Sequence, residues 1–226
     1  INKYNNNTNN CVSGMNSEVL DNHQKSILKA IFVASLRGAA SSVDAISEDL
    51  VLNRDYVNQI SNKLVNLNMI LKKNENLALT ELGRKQLVVV LAGGVFDIIH
   101  PGHLFTLSSA KNLGDVLIIS IAKDETVKNL KNRYPLNGEQ IRLNLISSLR
   151  IVDLALLGSE SDMFKMIETV KPDVIALGYD QKHDTNDLIN ESNNRGLHIK
   201  VVRFSSSIKN NKSSKIIKDS EAVKEF

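Results

Sequence analysis

The sequence is poor in the residues that build special frameworks. It has one cysteine, Cys11, no tryptophan, three prolines and eleven glycines in 226 residues. A single cysteine excludes an internal disulfide and a multi-cysteine zinc site, which points to a reducing, intracellular setting. So little proline and glycine excludes collagen-like and Pro/Gly-rich disordered chains. An excess of one charge is also lacking. Lys and Arg number 28 against 25 Asp and Glu, a net of +3, which admits an anionic ligand without demanding a nucleic acid. The longest nearly apolar run, Leu87 to Ile99, is broken by Gly93, Gly94 and Asp97 and is too short to span a bilayer. No charged-then-apolar leader opens the sequence, so the expected location is the cytoplasm, away from membranes. What is present, 42% hydrophobic and 23% charged residues, is an ordinary globular composition, long enough for two small domains.

Three segments follow one another. Residues 1–14 form a polar, asparagine-rich lead with almost nothing to bury, expected to be disordered. Residues 15–86 read as helices. Ile27, Leu28, Ile31, Phe32 and Leu36 recur at helical spacing up to Gly38. A short helix is expected over Ser42–Leu50, and another over Arg54–Leu67 with Asn53 as its cap. The runs Met69–Leu71 and Leu77–Thr80 flank a polar turn, as in a hairpin. Helix, helix, helix, hairpin, followed by Leu79-Thr80-Glu81-Leu82-Gly83-Arg84, resembles the winged helix-turn-helix regulators of archaea and bacteria.

From Leu87 to the end, residues 87–226, the period changes. Valine-rich runs at Leu87–Leu91, Val116–Ile121, Val152–Leu157, Val174–Leu177 and His198–Val202 suit strands buried on both faces. Amphipathic stretches at Leu104–Leu113, Glu139–Leu149, Asp162–Val170 and Asp184–Asn194 lie between them. This alternation predicts an α/β domain, a Rossmann-like, doubly wound parallel sheet behind a small winged-helix domain.

The first of these strands runs into Gly93-Gly94-Val95-Phe96-Asp97-Ile98-Ile99-His100-Pro101-Gly102-His103. Ligands of open α/β sheets bind beyond the carboxyl ends of the strands. Glycine lets the backbone approach a ligand, Pro101 suits the first turn of a helix, and a helix start offers N–H groups to an anion. His100 and His103, three apart, fall on one side of that helix start. A phosphate fits this corner. Two histidines also suit a metal, but no further Cys or His lies close in sequence, so zinc is set aside.

Gly-Gly-Val-Phe-Asp-x-x-His-x-Gly-His resembles the signature of the cytidylyltransferase-like nucleotidyltransferases. Later blocks follow in the family's order: Asp124–Lys131, Arg142 ahead of Val152-Asp153, Pro172–Gln181, Val202-Arg203-Phe204 and Ser213–Lys218. Within that superfamily the likeness is greatest to archaeal FAD synthases, although those often carry cysteines near the C-terminus and lack a winged-helix domain. The resemblance implies AMP transfer from ATP to FMN, with Mg²⁺ on the triphosphate. It implies His100 and His103 as phosphate donors, Lys131 and Arg142 as cations at the phosphates, and Val95, Phe96, Pro101 and Gly102 lining the site. Asp180 is implied at the ribose or adenine, and Arg203, Ser213 and Ser214 in a closing segment. Alternatives remain at this point: a cytidylyltransferase acting on glycerol 3-phosphate, or a nucleotide-sensing regulator. For the N-terminal segment, DNA binding competes with dimerisation or domain packing. Residues 1–86 hold ten Lys/Arg and eight Asp/Glu, a net of +2, which is little for a grip on DNA phosphates.

Overall fold

Capping residues set the N-terminal module. The computed structural model describes residues 20–205 apart from 161, 163, 180 and 182, so the asparagine-rich lead, Asp180, Ser213 and Ser214 lie outside the described residues. Helix α1 (Asn22–Arg37) begins on a reciprocal cap, in which Asp21 accepts from the Gln24 N–H and Gln24 accepts from the Asp21 N–H. It stops at Gly38, whose φ of 65° puts it in the left-handed region that glycine enters without penalty. Ser42 caps α2 (Val43–Leu50), and Asn53 caps α3 (Arg54–Asn66) by accepting from the N–H groups of Asp55 and Tyr56. Strands β1 (Ile70–Lys73) and β2 (Asn76–Leu79) pair as an antiparallel hairpin, and Thr80 caps the short helix α4 (Glu81–Arg84). Ile27, Leu28, Ile31, Ile46, Val57, Ile60, Leu64 and Leu77 close the core between them.

The rest of the chain alternates. In order come β3 (Val89–Gly94), α5 (Pro101–Lys111), β4 (Val116–Ile121), α6 (Asp124–Lys131), α7 (Glu139–Ser147) and β5 (Leu154–Leu157). They are followed by α8 (Phe164–Val170), β6 (Val174–Leu177), α9 (Thr185–Asn194) and β7 (Lys200–Arg203). The strands form one parallel sheet in the order β5-β4-β3-β6-β7. Alternate side chains of the inner strands go to opposite faces, as the two-residue period requires. Val89, Leu91, Ile118 and Ile175 pack with Ile167, Val170 and Leu188 on one face, in a cluster continuous with the N-terminal core. Val90, Ala92, Leu117, Ile119 and Ala176 pack with Leu107, Ala110 and Ile146 on the other.

The expected doubly wound sheet is therefore present. Two details differ. Strand β3 starts at Val89 rather than Leu87 and runs on through both glycines. Helix α6 was not anticipated as a helix. It has only two large apolar residues, Val127, which is buried, and Leu130, which is exposed; its signature is acidic residues Asp124 and Glu125 in the first turn and Lys128 and Lys131 in the last, which suits the helix dipole.

The amino edge of the sheet is where the N-terminal module docks. Asp115, Asp153 and Asp173 stand directly before β4, β5 and β6. Their carboxylates accept strand N–H groups: Val88 to Asp115 at 2.8 Å, Leu117 to Asp153 at 2.7 Å, Val89 to Asp173 at 2.7 Å. The same carboxylates meet cations of the module. Lys25 reaches Asp115 at 3.0 Å, Arg84 reaches Asp173 at 3.0 Å, and Lys29 pairs with Asp153, which also takes Lys111 at 2.6 Å. Burial opposes the charge on Asp115, but the Val88 N–H and the Lys25 ammonium outweigh it, so its pKa lies below the ordinary aspartate value. Burial acts on Lys111 too and lowers its pKa despite Asp153. Among the described residues no helix is long and apolar enough to cross a membrane.

Candidate functional site

The carboxyl edge is built differently. Strand order reverses at β3, with β4 and β5 to one side and β6 and β7 to the other, which opens a crevice beyond its end. A Cβ on Gly94 would sit 2.7 Å from the Phe96 ring, so this position must be glycine for that ring to pack. Phe96 itself is buried and holds a φ of 53°, a strained setting for a bulky residue. That turn directs the chain into α5. His100 is the N-cap residue of α5 and Pro101 its first residue. The His100 and His103 rings stack with centroids 3.9 Å apart at 25°, and Phe96 supports the His103 ring at 5.1 Å. Both histidines are half-buried, with their Nδ1 atoms inside.

Arg142 holds the floor of this corner. Its side chain is fully buried. Nε donates to the Asn137 carbonyl at 2.9 Å, Nη1 to the Val95 carbonyl at 2.6 Å and Nη2 to Asp124 Oδ1 at 2.6 Å. One guanidinium thus ties the β3–α5 corner to the start of α6 and to the α6–α7 loop. Those two helix starts cap one another. Glu139 accepts from the Asp124 N–H at 2.8 Å, and Asp124 accepts from the Glu139 N–H at 3.2 Å. Asp97, also buried, accepts from the Asn137 N–H at 3.0 Å, while the Asn137 amide donates back to the Asp97 carbonyl at 2.7 Å.

On the β6 side, Gln181 donates to the Gly93 carbonyl at 2.7 Å and accepts from the Gly178 N–H at 3.1 Å. Arg203 donates to the Gln181 carbonyl at 2.6 Å and to the His183 carbonyl, fixing the loop after β6.

The structure therefore brings His100, Pro101, Gly102, His103, Val95 and Phe96 together at one corner. Arg142 lies beneath them with its donors on protein oxygens, and Phe96 packs inward. Arg203 clamps a backbone loop, and Lys131 stands exposed in the last turn of α6. Sequence reasoning missed Asp97, Asp124, Asn137, Glu139 and Gln181. Each acts through a partner distant in the chain, so no local spacing announces it. Asp97, inside the histidine motif, and Asp124 and Gln181, inside the later family blocks, carried a signal that could have been used; Asn137 and Glu139 did not.

Chemically, the corner offers two imidazoles and the first N–H groups of an eleven-residue helix, a setting for phosphate oxygens. Among the described residues no three His, Cys, Asp or Glu side chains converge to hold a metal ion.

Comparison with known proteins agrees with this chemistry. The cytidylyltransferase-like family profile matches residues 91–220. The chain is 49% identical over 118 residues to the FAD synthase of Aciduliprofundum boonei, covering 52% of this chain and 78% of that one. It is 47% identical over 119 residues to the FAD synthase of Thermoplasma volcanium, covering 53% and 83%. Among solved structures it is similar to the lipopolysaccharide core biosynthesis protein of Thermoplasma volcanium, with 46% identity, a TM-score of 0.53, and coverage of 54% of this chain and 99% of that one.

Proposed function

The chain belongs to the cytidylyltransferase-like family, and from that premise we propose that it is an FAD synthase. A phosphate oxygen of FMN attacks the α-phosphorus of ATP in line. The new P–O bond gives FAD, and the bond to the β-phosphate breaks to release pyrophosphate. Phosphate is itself the nucleophile, so the protein needs no serine or cysteine; it must align the two substrates and stabilise charge on the oxygens. His100 and His103 donate to the triphosphate beside the start of α5. Arg142 acts one step back, holding Val95 and Asp124 where they frame the histidines. Asp180, Arg203, Ser213 and Ser214 belong to the nucleoside and closing side, and Lys131 to the phosphates at longer range. Magnesium enters as the companion of ATP. Imidazole nitrogens are poor ligands for this hard ion, which prefers oxygen, and the described residues hold no cluster for it.

The observation that carries FMN over another acceptor is the 49% identity to an FAD synthase of which 78% is covered. The test is incubation with ATP or CTP against FMN or glycerol 3-phosphate, followed by chromatography and a pyrophosphate assay. FAD from ATP and FMN is expected. Turnover with CTP and glycerol 3-phosphate alone would replace this reading with the cytidylyltransferase one.

For residues 15–86 we propose a winged-helix module that serves to dock on the sheet rather than to read DNA. Lys25, Lys29 and Arg84 are paired with sheet carboxylates, and Arg37 donates to the Asp153 carbonyl at 3.4 Å. Arg54 on α3 is paired with Asp44. Of the segment's described cations, Lys63, Lys72, Lys73 and Lys85 are left, Lys72 donating to Asn62; four exposed lysines give a weak grip on a phosphate backbone, so a salt-dependent mobility shift with duplex DNA is expected to be absent. The cytoplasm is the proposed location, in keeping with the single cysteine.

A further inference from the structure

The crevice beyond β3 has two flanks. The β6 flank is the side we assign to the nucleoside. The β4 flank ends in the loop between α6 and α7, and that loop is anchored by Asn137 to Asp97 and by Arg142 to the Asn137 carbonyl. From this fixed base Leu130, Tyr134 and Leu136 stand outward, 74%, 49% and 64% exposed. Single exposed apolar side chains need no explanation, but three fall within seven residues here, Leu130 at the end of α6 and the other two in the loop after it.

Tyr134 is exposed yet held. Its hydroxyl donates to Glu125 at 2.7 Å and accepts from Lys128 at 2.9 Å, and the Lys128 ammonium lies 4.6 Å from the ring centroid. The Tyr134 hydroxyl also keeps the Lys128 pKa above the ordinary lysine value. A ring fixed in advance loses little freedom when a ligand stacks on it. The loop reaches Asp97, three residues from His100, through Asn137 and through Arg133, the neighbour of Tyr134, whose Nη1 lies 3.5 Å from Asp97 Oδ2.

We propose that Tyr134, flanked by Leu130 and Leu136, seats the isoalloxazine ring of FMN on the β4 flank. The proposal rests on the FMN reading above and adds where its flavin goes. The isoalloxazine is flat and aromatic, with an apolar dimethylbenzene edge suited to the leucines. Its opposite edge carries carbonyl oxygens, which suit the Lys128 ammonium. Adenine, on the same reading, is taken up on the β6 flank, and its ring has no apolar edge for the two leucines to cover.

The test compares the wild type, Tyr134→Ala and Tyr134→Phe by steady-state kinetics, by titration of FMN fluorescence, which stacking on tyrosine quenches, and by sedimentation. The Ala variant is expected to raise KM for FMN about tenfold, the effect of losing about 1.4 kcal/mol of binding, and to weaken quenching. KM for ATP should stay within twofold, and Tyr134→Phe should recover most of the affinity. FAD formation with an unmoved FMN KM overturns the seat and leaves the reaction standing. FMN quenching lost in Tyr134→Ala, with no FAD made by the wild type, overturns the reaction and leaves the seat. Equal rises in both KM values, a change confined to oligomeric state, or no FMN binding by the wild type overturns the seat.

Discussion

The two edges of one sheet solve opposite problems. Parallel strands all start at one edge, where their N–H groups need acceptors, and all end at the other, where carbonyls need donors. At the amino edge the acceptors are Asp115, Asp153 and Asp173, and the negative charge they bring is met by Lys25, Lys29 and Arg84 of the N-terminal module. At the carboxyl edge the donors are Arg142, Gln181 and Arg203, bound to the carbonyls of Val95, Gly93 and Gln181. One edge is thereby closed by the helices and hairpin of residues 20–86. The other is made rigid by donors from within its own fold, which keeps a strained corner and two stacked imidazoles in place. The same backbone polarity is answered at one end by carboxylates that pair with the N-terminal segment and at the other by donors around the corner that holds both histidines.

Arg142→Ala should have the largest effect, because it strikes at the rigidity of the carboxyl edge. Removing a fully buried guanidinium from a carboxylate and two carbonyls is expected to lower stability by about 3–5 kcal/mol. Denaturant midpoints measure this, and FAD formation should fall with it. A stable, active variant would mean that the corner holds itself. His103→Ala probes the same edge without its framework. Loss of one donor to the transferring phosphates should lower turnover about a hundredfold or more, with the melting temperature little changed. A normal rate would take His103 out of the mechanism.

At the amino edge the expected pattern reverses. Asp153, whose side chain is 9% exposed between Lys29 and Lys111, should on Asp153→Asn reduce stability by about 2 kcal/mol, with an ammonium left poorly paired. Turnover per folded molecule should be unchanged, and a kinetic defect there would show that the edges communicate. The smallest effect is on pH dependence. The Asp115 pKa is depressed in the folded state, so its contribution is present above about pH 4 and fades as acid protonates it. Its pair with Lys25 is partly exposed, so less than about 1 kcal/mol is at stake. Melting curves between pH 3 and 6 should lose part of their acid slope in Lys25→Ala; an unaltered slope would assign the shift to the Val88 N–H instead.

Much of this was legible in the chain. The cap Asn53, the stop at Gly38 and the strands of the sheet are written in local residue choice, because a cap or a two-residue period involves neighbours in sequence. The histidine corner was legible for the same reason: glycine pair, proline and both imidazoles lie within eleven residues. The role of Arg142 was not. Its type and its place in the family blocks suggested a phosphate ligand, whereas it is buried with three protein oxygens as partners, the observation behind the supporting role proposed for it. Helix α6 was missed since charge, not apolar spacing, marks it, and its cap comes from Glu139 fifteen residues on.

By itself, then, the order of amino acids determined the elements, their alternation and the chemistry of the corner between β3 and α5. Folding alone decided which carboxylate would meet Lys25, Lys29 or Arg84, and which loops Arg142 would join. Those contacts bridge residues tens of positions apart, and such distances are set by packing the sheet and its helices, not by any spacing along the chain.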